Sequence, residues 1–107
     1  MTWSLTALPL AKQDIRQAAA YYQEVAPHQV ARFLDLVQDT INGFLAAPYA
    51  STPDANGLRR RSVKVFPYGV WVYLDEPDET ILIVGVIHNR RDPNLIATRA
   101  AGLLLED

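Results

Sequence analysis

The residues with the clearest chemical potential lie near the C-terminal end, in the stretch VIHNRRDPN at residues 86–94. One imidazole, His88, follows an apolar run, and two guanidinium groups, Arg90 and Arg91, come soon after it. Imidazole exchanges protons near neutral pH, and guanidinium groups bind carboxylates and phosphates through paired hydrogen bonds. The stretch is therefore either the rim of a site or a corner whose arginines pair with a carboxylate such as Asp92.

A second cluster of positive charge lies earlier in the chain. Arg59, Arg60, Arg61 and Lys64 fall in a short stretch that contains no acid. Alternation along an extended chain places Arg60 and Lys64 on one face and Arg59 and Arg61 on the other. Arginine on both faces is not typical of a solvent-exposed edge, so we expect some of these side chains to meet an acidic partner or a buried carboxylate.

Helices and strands must position these two clusters. Trp3 and Leu5 alternate with polar residues, which predicts a short first strand. Apolar residues then recur at three- and four-residue steps, which predicts an amphipathic helix at about residues 9–25. A short break at 26–28 makes the next helix its antiparallel neighbour. The apolar stripe of this second helix is Val30, Phe33, Val37, Ile41 and Phe44.

The second half of the chain is predicted to be a sheet. Residues 46–57 are rich in proline, glycine and small polar residues, which indicates a loop. Strands are predicted at 58–66, 70–74 and 80–87, and the turns between them are too short for a parallel crossover. The last strand is apolar at nearly every position, which is typical of a central strand. The Asp92-Pro93 dipeptide then predicts the start of a short third helix.

The predicted fold is α+β in a single domain of residues 1–107. Two antiparallel N-terminal helices pack on an antiparallel sheet, in the order β-α-α-β-β-β with a short C-terminal helix. Two long helices cover one face of such a sheet, whereas both sides of the last strand are apolar. The other face must be covered by a partner protein or by the third helix, with Ile96, Ala100 and Leu103 inward.

Composition narrows the classes of function. The chain has no cysteine, so it has neither disulfides nor thiolate metal sites, and we expect no metal and no cofactor. The N-terminal residues lack a basic leader, and no run approaches the roughly 20 apolar residues of a membrane span, so we expect a cytoplasmic protein. A net charge of −2 is weak support for nucleic-acid binding through overall charge.

The order of elements and several local stretches resemble the RelE/ParE superfamily of toxins from bacterial type II toxin–antitoxin pairs. The stretches are AAAYY with Asp14 in the first helix, ARFLDLV in the second, LRR at 58–60, FPYGVWVY at 66–73 and VIHNRRDP at 86–93. The resemblance spans nearly the whole chain. It implies a toxin of the plasmid-stabilisation type that is neutralised by a cognate antitoxin.

The family resemblance implies one of two activities. RelE-like toxins cut messenger RNA on the ribosome, whereas ParE-like toxins poison DNA gyrase. RNA cleavage through the 2′-hydroxyl needs an acid, a base and cationic donors. Arg59, Arg60 and Lys64 are candidate donors, and His88 is a candidate acid or base. RelE-like nucleases usually add an aromatic or polar residue beyond the last strand and are strongly basic, and residues 94–97 supply no such side chain.

The sequence therefore favours a ParE-like gyrase poison. A ribosome-dependent nuclease and a non-toxic antitoxin-binding module remain open as alternatives. In each case a structural interpretation competes with the functional one, since a histidine at a strand end, such as His88, is more often a turn residue bonded to the backbone. The predicted target-binding or partner-binding residues are Arg59, Arg60, Lys64, His88, Arg90 and Arg91.

Overall fold

The computed structural model describes residues 2–105. Four strands form one sheet in the order β1-β4-β3-β2, with two long helices on one face and a third helix on the other. The elements, in chain order, are β1 (Ser4–Ala7), α1 (Pro9–Val25), a 3₁₀ turn (Pro27–Gln29), α2 (Val30–Ala46), β2 (Arg59–Ser62), β3 (Tyr68–Asp75), β4 (Thr80–His88) and α3 (Asn94–Leu105). The predicted α+β fold is confirmed.

Prolines set the limits of the first helix. Pro9 occupies the start of α1, where its missing N–H has no helical partner to lose. Ala26 precedes Pro27 and has an extended φ of −158°, because a proline disfavours helical conformation in the residue before it. The observed helix, Pro9–Val25, matches the predicted span of 9–25.

The core between the helices and the sheet follows the predicted apolar stripes. Phe33, Val37 and Ile41 are buried, and Ile15 and Tyr22 pack against them while partly exposed. Each fully buried side chain of this size contributes roughly 1.5–3 kcal/mol. The predicted helix–sheet interface is therefore confirmed, and it supplies most of the apolar burial on this face.

The sheet is mixed, because β1 pairs parallel to β4 while β2, β3 and β4 form the predicted antiparallel meander. No hairpin joins β1 to β4, since the rest of the fold lies between them in the chain, and so no tight turn imposes antiparallel pairing. The strand predicted at 58–66 is shorter than expected. It ends at Ser62, and Val65 has a positive φ of 72°, which turns the chain toward β3.

The third helix covers the second face of the sheet. Ile96 and Ala100 on α3 are buried against Leu58 and Val84, and Leu103 packs beside them. The expectation of a partner over this face is therefore wrong, and the competing explanation, the third helix, is right. Asp92 caps the start of this helix as predicted, since its Oδ1 accepts a hydrogen bond of 2.9 Å from the Asn94 N–H.

β4 has a β-bulge on its β3 side and unpaired backbone groups on its β1 side. Ile83 pairs with Val72 and Gly85 pairs with Trp71, which leaves Val84 without a partner residue on β3. On the other side of β4, the pairing with β1 ends at Ile83. Beyond that point β4 has backbone groups that no neighbouring strand satisfies.

Two side chains take the place of the missing strand. Asp14 on α1 accepts a hydrogen bond of 3.0 Å from the Val86 N–H, and Arg99 on α3 donates one of 3.1 Å to the Val84 carbonyl. The two side chains also bind each other, with Arg99 Nη1 2.5 Å from Asp14 Oδ2 and Nη2 3.0 Å from Oδ1. Both are nearly buried, with 11% and 13% exposure. This Asp14–Arg99 clamp joins α1, β4 and α3.

A glycine gives the clamp its space. A Cβ at Gly85 would lie 2.8 Å from Arg99 Nη1, a separation that real Cβ atoms do not adopt. Sequence analysis identified neither Arg99 nor this use of Asp14. The partners are 85 residues apart in sequence, and no local pattern pairs them.

Val37→Asp should unfold the domain, because it leaves a charge in the core without a partner. We expect a loss of about 3–5 kcal/mol in the free energy of unfolding, measured by urea titration. The matched control is Leu34→Asp, the same chemical change on the same helix at a side chain that is 39% exposed. Equal losses for the two variants would contradict the packing described here.

Arg99→Gln should cost roughly 3 kcal/mol of stability, because it leaves the Asp14 carboxylate nearly buried without its cation. The double variant Asp14→Asn/Arg99→Gln should lose less than the sum of the two single variants. Urea unfolding of all three gives the coupling energy. Arg16→Gln, at an exposed arginine of α1, is the control. Additive losses would mean that the clamp is not an energetic unit.

Candidate functional site

The predicted site residue His88 ends β4 beside the start of β3. It pairs with Tyr68 in the register of the sheet, and the two rings meet edge to face with centroids 5.1 Å apart. His88 Nδ1 accepts a hydrogen bond of 3.0 Å from the Arg90 N–H, and the His88 carbonyl accepts one of 3.0 Å from the Arg91 N–H. The imidazole thus holds the turn that follows it, as the structural interpretation predicted.

This hydrogen bond sets the tautomer of His88. A nitrogen that accepts from a backbone N–H carries no proton, so the ring proton lies on Nε2. A neutral imidazole in this state offers one N–H donor, while its basic lone pair is already used. In this arrangement His88 leaves Nε2 for a hydrogen bond to a bound group, while Nδ1 is engaged by the turn.

Arg60 lies flat over β3, close to His88. Its guanidinium donates hydrogen bonds to Asn89 Oδ1 at 2.7 Å and to Ser62 Oγ at 2.9 Å, and its Cζ is 5.7 Å from the centre of the Trp71 ring. A Cβ at Gly69 would come within 2.7 Å of Arg60 Cζ, so the glycine leaves the space for this side chain. The charge of Arg60 is therefore held in one place.

The other two arginines of β2 serve the fold. Arg59 donates to the Ser51 carbonyl and lies over the Tyr49 ring at 5.2 Å. Arg61 donates to the Gly43 carbonyl of α2 at 3.3 Å. Within the described residues the three arginines of β2 meet no buried carboxylate, since backbone carbonyls, a side-chain amide, a hydroxyl and aromatic rings satisfy them instead. The other alternative, an acidic partner protein, stays a prediction.

Arg61 explains why α2 does not end at Gly43. Its guanidinium packs against that turn of the helix, where a Cβ on Gly43 would lie 3.0 Å from Arg61 Cζ. Asn42 and Gly43 lower the helix propensity of this segment. The contact offsets that weakness, and α2 continues to Ala46.

Lys64 and the side chain of Arg90 do not line the clefts that contain His88. Lys64 follows the end of β2 and lines a shallow depression with Arg61 and Asp39, so the prediction that it shares a face with Arg60 is wrong. The early end of the strand removes the alternation on which that prediction was based. Arg90 is exposed in the turn after β4, and it borders neither of the clefts that His88 lines.

Two clefts meet at His88 and Arg91, both of which line each of them. The first, here called the tyrosine cleft, has a volume of about 470 Å³. The residues that line it are Asp14, Gln17, Ala18, Tyr21, Tyr22, Val25, Pro67, Tyr68, Val86, Ile87, His88, Arg91 and Leu95. The second, about 360 Å³, is bordered by Arg60 and Trp71. Of the six predicted residues, the structure thus brings together Arg60, His88 and Arg91.

Two phenols of the tyrosine cleft, Tyr68 and Tyr22, have raised pKa values and are therefore hydrogen-bond donors at physiological pH. Burial raises the pKa of Tyr68 above its ordinary value, and the neighbouring Tyr22 and Tyr21 hydroxyls add to this effect while Arg91 opposes it. Burial also raises the pKa of Tyr22. Tyr21 and Tyr22 both line this cleft, which the helical pattern of α1 does not reveal from sequence.

The predicted alternative, in which Arg90 or Arg91 pairs with Asp92, is not found in residues 2–105. The ion pair in this part of the chain joins Asp14 and Arg99, and Asp92 caps α3. These residues also contain no group of three His, Asp or Glu side chains that could hold a metal ion. No helix of the described chain is long and apolar enough to cross a membrane.

Comparisons with known proteins agree on one family. The family model described as the ParE toxin of the type II toxin–antitoxin system parDE matches residues 6–93. Toxin ParE2 of Mycobacterium tuberculosis, from strains CDC 1551 / Oshkosh and ATCC 25618 / H37Rv, is 29% identical over 96 residues, which cover 89% of this chain and 90% of that toxin.

Solved structures share the fold. A chain of the chromosomal ParDE system of P. aeruginosa matches with a TM-score of 0.71 and 12% identity, over 81% of this chain and 96% of that chain. A chain of the RelBE2 toxin–antitoxin complex of Mycobacterium tuberculosis matches with a TM-score of 0.55 and 15% identity, over 82% and 99%. The resemblance inferred from sequence is therefore confirmed, and the chain belongs to the ParE family of type II toxin–antitoxin toxins.

Proposed function

We propose that this ParE-family toxin inhibits growth by binding and poisoning DNA gyrase, without catalysis of its own, and that a cognate antitoxin neutralises it. Family membership supports a toxin that works in a toxin–antitoxin pair. The relative ParE2 and the ParDE structure come from this same branch of the superfamily. The choice between binding and catalysis depends on the residues around His88.

The hydrogen bond from the Arg90 N–H to His88 Nδ1 is the observation that most favours binding over catalysis. An RNA-cleaving site needs one group that takes a proton from the 2′-hydroxyl and another that protonates the leaving oxygen. With Nδ1 engaged by the Arg90 N–H, His88 leaves one ring nitrogen, Nε2, for a substrate, whereas such a site needs two proton-transfer groups. The nearby tyrosines have raised pKa values, which makes them poor bases at neutral pH.

The positions of the cations favour the same conclusion. A phosphorane intermediate needs several donors that converge on one point. Arg59 and Arg61 instead bind carbonyls of the fold, and Lys64 lies beside Asp39. These cations therefore stabilise the fold and do not converge on one point.

Two exposed arginines lie in the turn after β4, where they can contact a binding partner. These are Arg90 and Arg91, and Arg91 lines both clefts. Exposed cations of this kind steer association with an acidic surface and select among partners. We assign contact with gyrase or with the antitoxin to this end of the sheet.

The target can be tested with purified components. Incubation of the chain with gyrase, ATP and plasmid DNA should accumulate DNA cleaved by gyrase, and induced cells should form filaments and signal DNA damage. The folding-deficient variant Val37→Asp is the control. Rapid translation arrest with ribosome-dependent mRNA cleavage would replace gyrase with the ribosome as target. Absence of any growth effect would identify an antitoxin-binding module without toxicity.

His88→Asn separates catalysis from binding. The Asn Oδ1 can replace Nδ1 as acceptor for the Arg90 N–H, so the turn is kept while proton transfer becomes impossible. A gyrase poison should stay toxic, whereas a nuclease would lose about 10²–10⁴-fold in cleavage rate. Arg91→Glu should weaken toxicity strongly, because it adds repulsion at a complementary surface.

The control for that charge reversal is Arg16→Glu on the exposed face of α1. Growth inhibition and thermal melting should be measured for all three variants. Loss of toxicity in a folded His88→Asn protein, with Arg91→Glu still toxic, would overturn the proposal.

A further inference from the structure

The tyrosine cleft contains a polar group that the fold does not use. Tyr68 is only 9% exposed and lines the cleft, yet its hydroxyl makes no hydrogen bond to any residue that the structure describes. Tyr22 also lines the cleft, and among these residues its hydroxyl has no partner either. Solvent reaches the Tyr68 hydroxyl through the cleft, so this hydroxyl is available to donate a hydrogen bond to a ligand that supplies an acceptor.

The other polar groups of the cleft are mostly donors as well. His88 offers its Nε2–H, and Arg91 offers a guanidinium that binds no side chain in residues 2–105. Asp14 is the one acid among the lining residues, and its oxygens are taken by Arg99 and by the Val86 N–H. The cleft therefore has an excess of donors, which matches an oxyanion.

The remaining walls are apolar. Val25, Pro67 and Leu95 line the cleft between the polar groups, and Val25 is 58% exposed. Such walls favour a ligand that carries an apolar group next to its negative charge. A free inorganic anion would leave these surfaces uncovered.

The charge of the cleft indicates which oxyanion it takes. Arg91 contributes one positive charge, His88 Nδ1 is engaged by the Arg90 N–H, and Asp14 is already paired. The whole chain carries a net charge of −2, which opposes a polyanion such as a nucleic acid. One carboxylate matches this balance better than a run of phosphates.

We infer that the tyrosine cleft is a binding site for a carboxylate side chain of a protein partner, presented next to an apolar residue in an extended segment. The hydroxyls of Tyr68 and Tyr22 and the guanidinium of Arg91 hold the carboxylate, while Val25 and Leu95 contact the apolar neighbour. This inference does not depend on gyrase being the target, because peptide binding to the cleft can be measured with the isolated chain.

NMR titration of the ¹⁵N-labelled chain tests this site with two matched peptides. Acetyl-Leu-Glu-Leu-amide carries the carboxylate, and acetyl-Leu-Gln-Leu-amide lacks only its charge. The glutamate peptide should shift the amide signals of Gln17, Tyr22, Tyr68 and His88. The glutamine peptide should bind at least about tenfold more weakly, because hydrogen bonds to a charged group are the stronger ones.

Two substitutions identify the groups that bind. Tyr68→Phe removes one hydroxyl and Arg91→Gln removes one charge, and each should weaken the glutamate peptide by about tenfold. Tyr49→Phe, a tyrosine outside the cleft, and Arg32→Gln, an exposed arginine of α2, should leave binding unchanged. Thermal melting confirms that every variant is folded.

Three results would overturn the inference. The first is equal affinity for the two peptides. The second is an unchanged affinity for the glutamate peptide in folded Tyr68→Phe. The third is a thymidine oligonucleotide that binds the cleft more tightly than the glutamate peptide and is itself weakened by Tyr68→Phe, since the site would then be one for phosphate.

Discussion

The fold depends on one ion pair that substitutes for a strand. Where β1 ends, β4 continues with free backbone groups, and the Asp14 carboxylate and the Arg99 guanidinium bind them. Each side chain also neutralises the other in a nearly buried position. This pair thus closes the exposed edge of β4 and holds both α1 and α3 against the sheet. The apolar cluster beneath α3 and the tyrosine cleft beside α1 depend on the positions of these two helices.

The clamp also explains how a short chain can keep a cleft beside its central strand. Asp14 belongs both to the clamp and to the wall of the tyrosine cleft, so the end of β4 is supported by charge and not by another strand. A further strand at this position would fill the space between α1 and His88. The same arrangement leaves the Tyr68 hydroxyl open to the cleft.

Sequence analysis predicted what periodicity and turns determine. Local patterns were sufficient for four features: the limits of α1, the apolar stripe of α2, the antiparallel meander and the capping by Asp92. It did not predict the parallel pairing of β1, the bulge at Val84 or the Asp14–Arg99 clamp, because these join residues far apart in the chain. For the same reason it found His88 and Arg91 but not the cleft between them.

Three glycines in three different elements each lie against an arginine: Gly43 against Arg61, Gly69 against Arg60 and Gly85 against Arg99. The smallest side chains thus determine where the guanidinium groups lie, although they carry no charge. An alanine at any of these positions would leave the net charge unchanged and still move a cation. Two homologues with identical basic residues can therefore present different electrostatic surfaces, and an alignment that compares only charged positions would miss the difference.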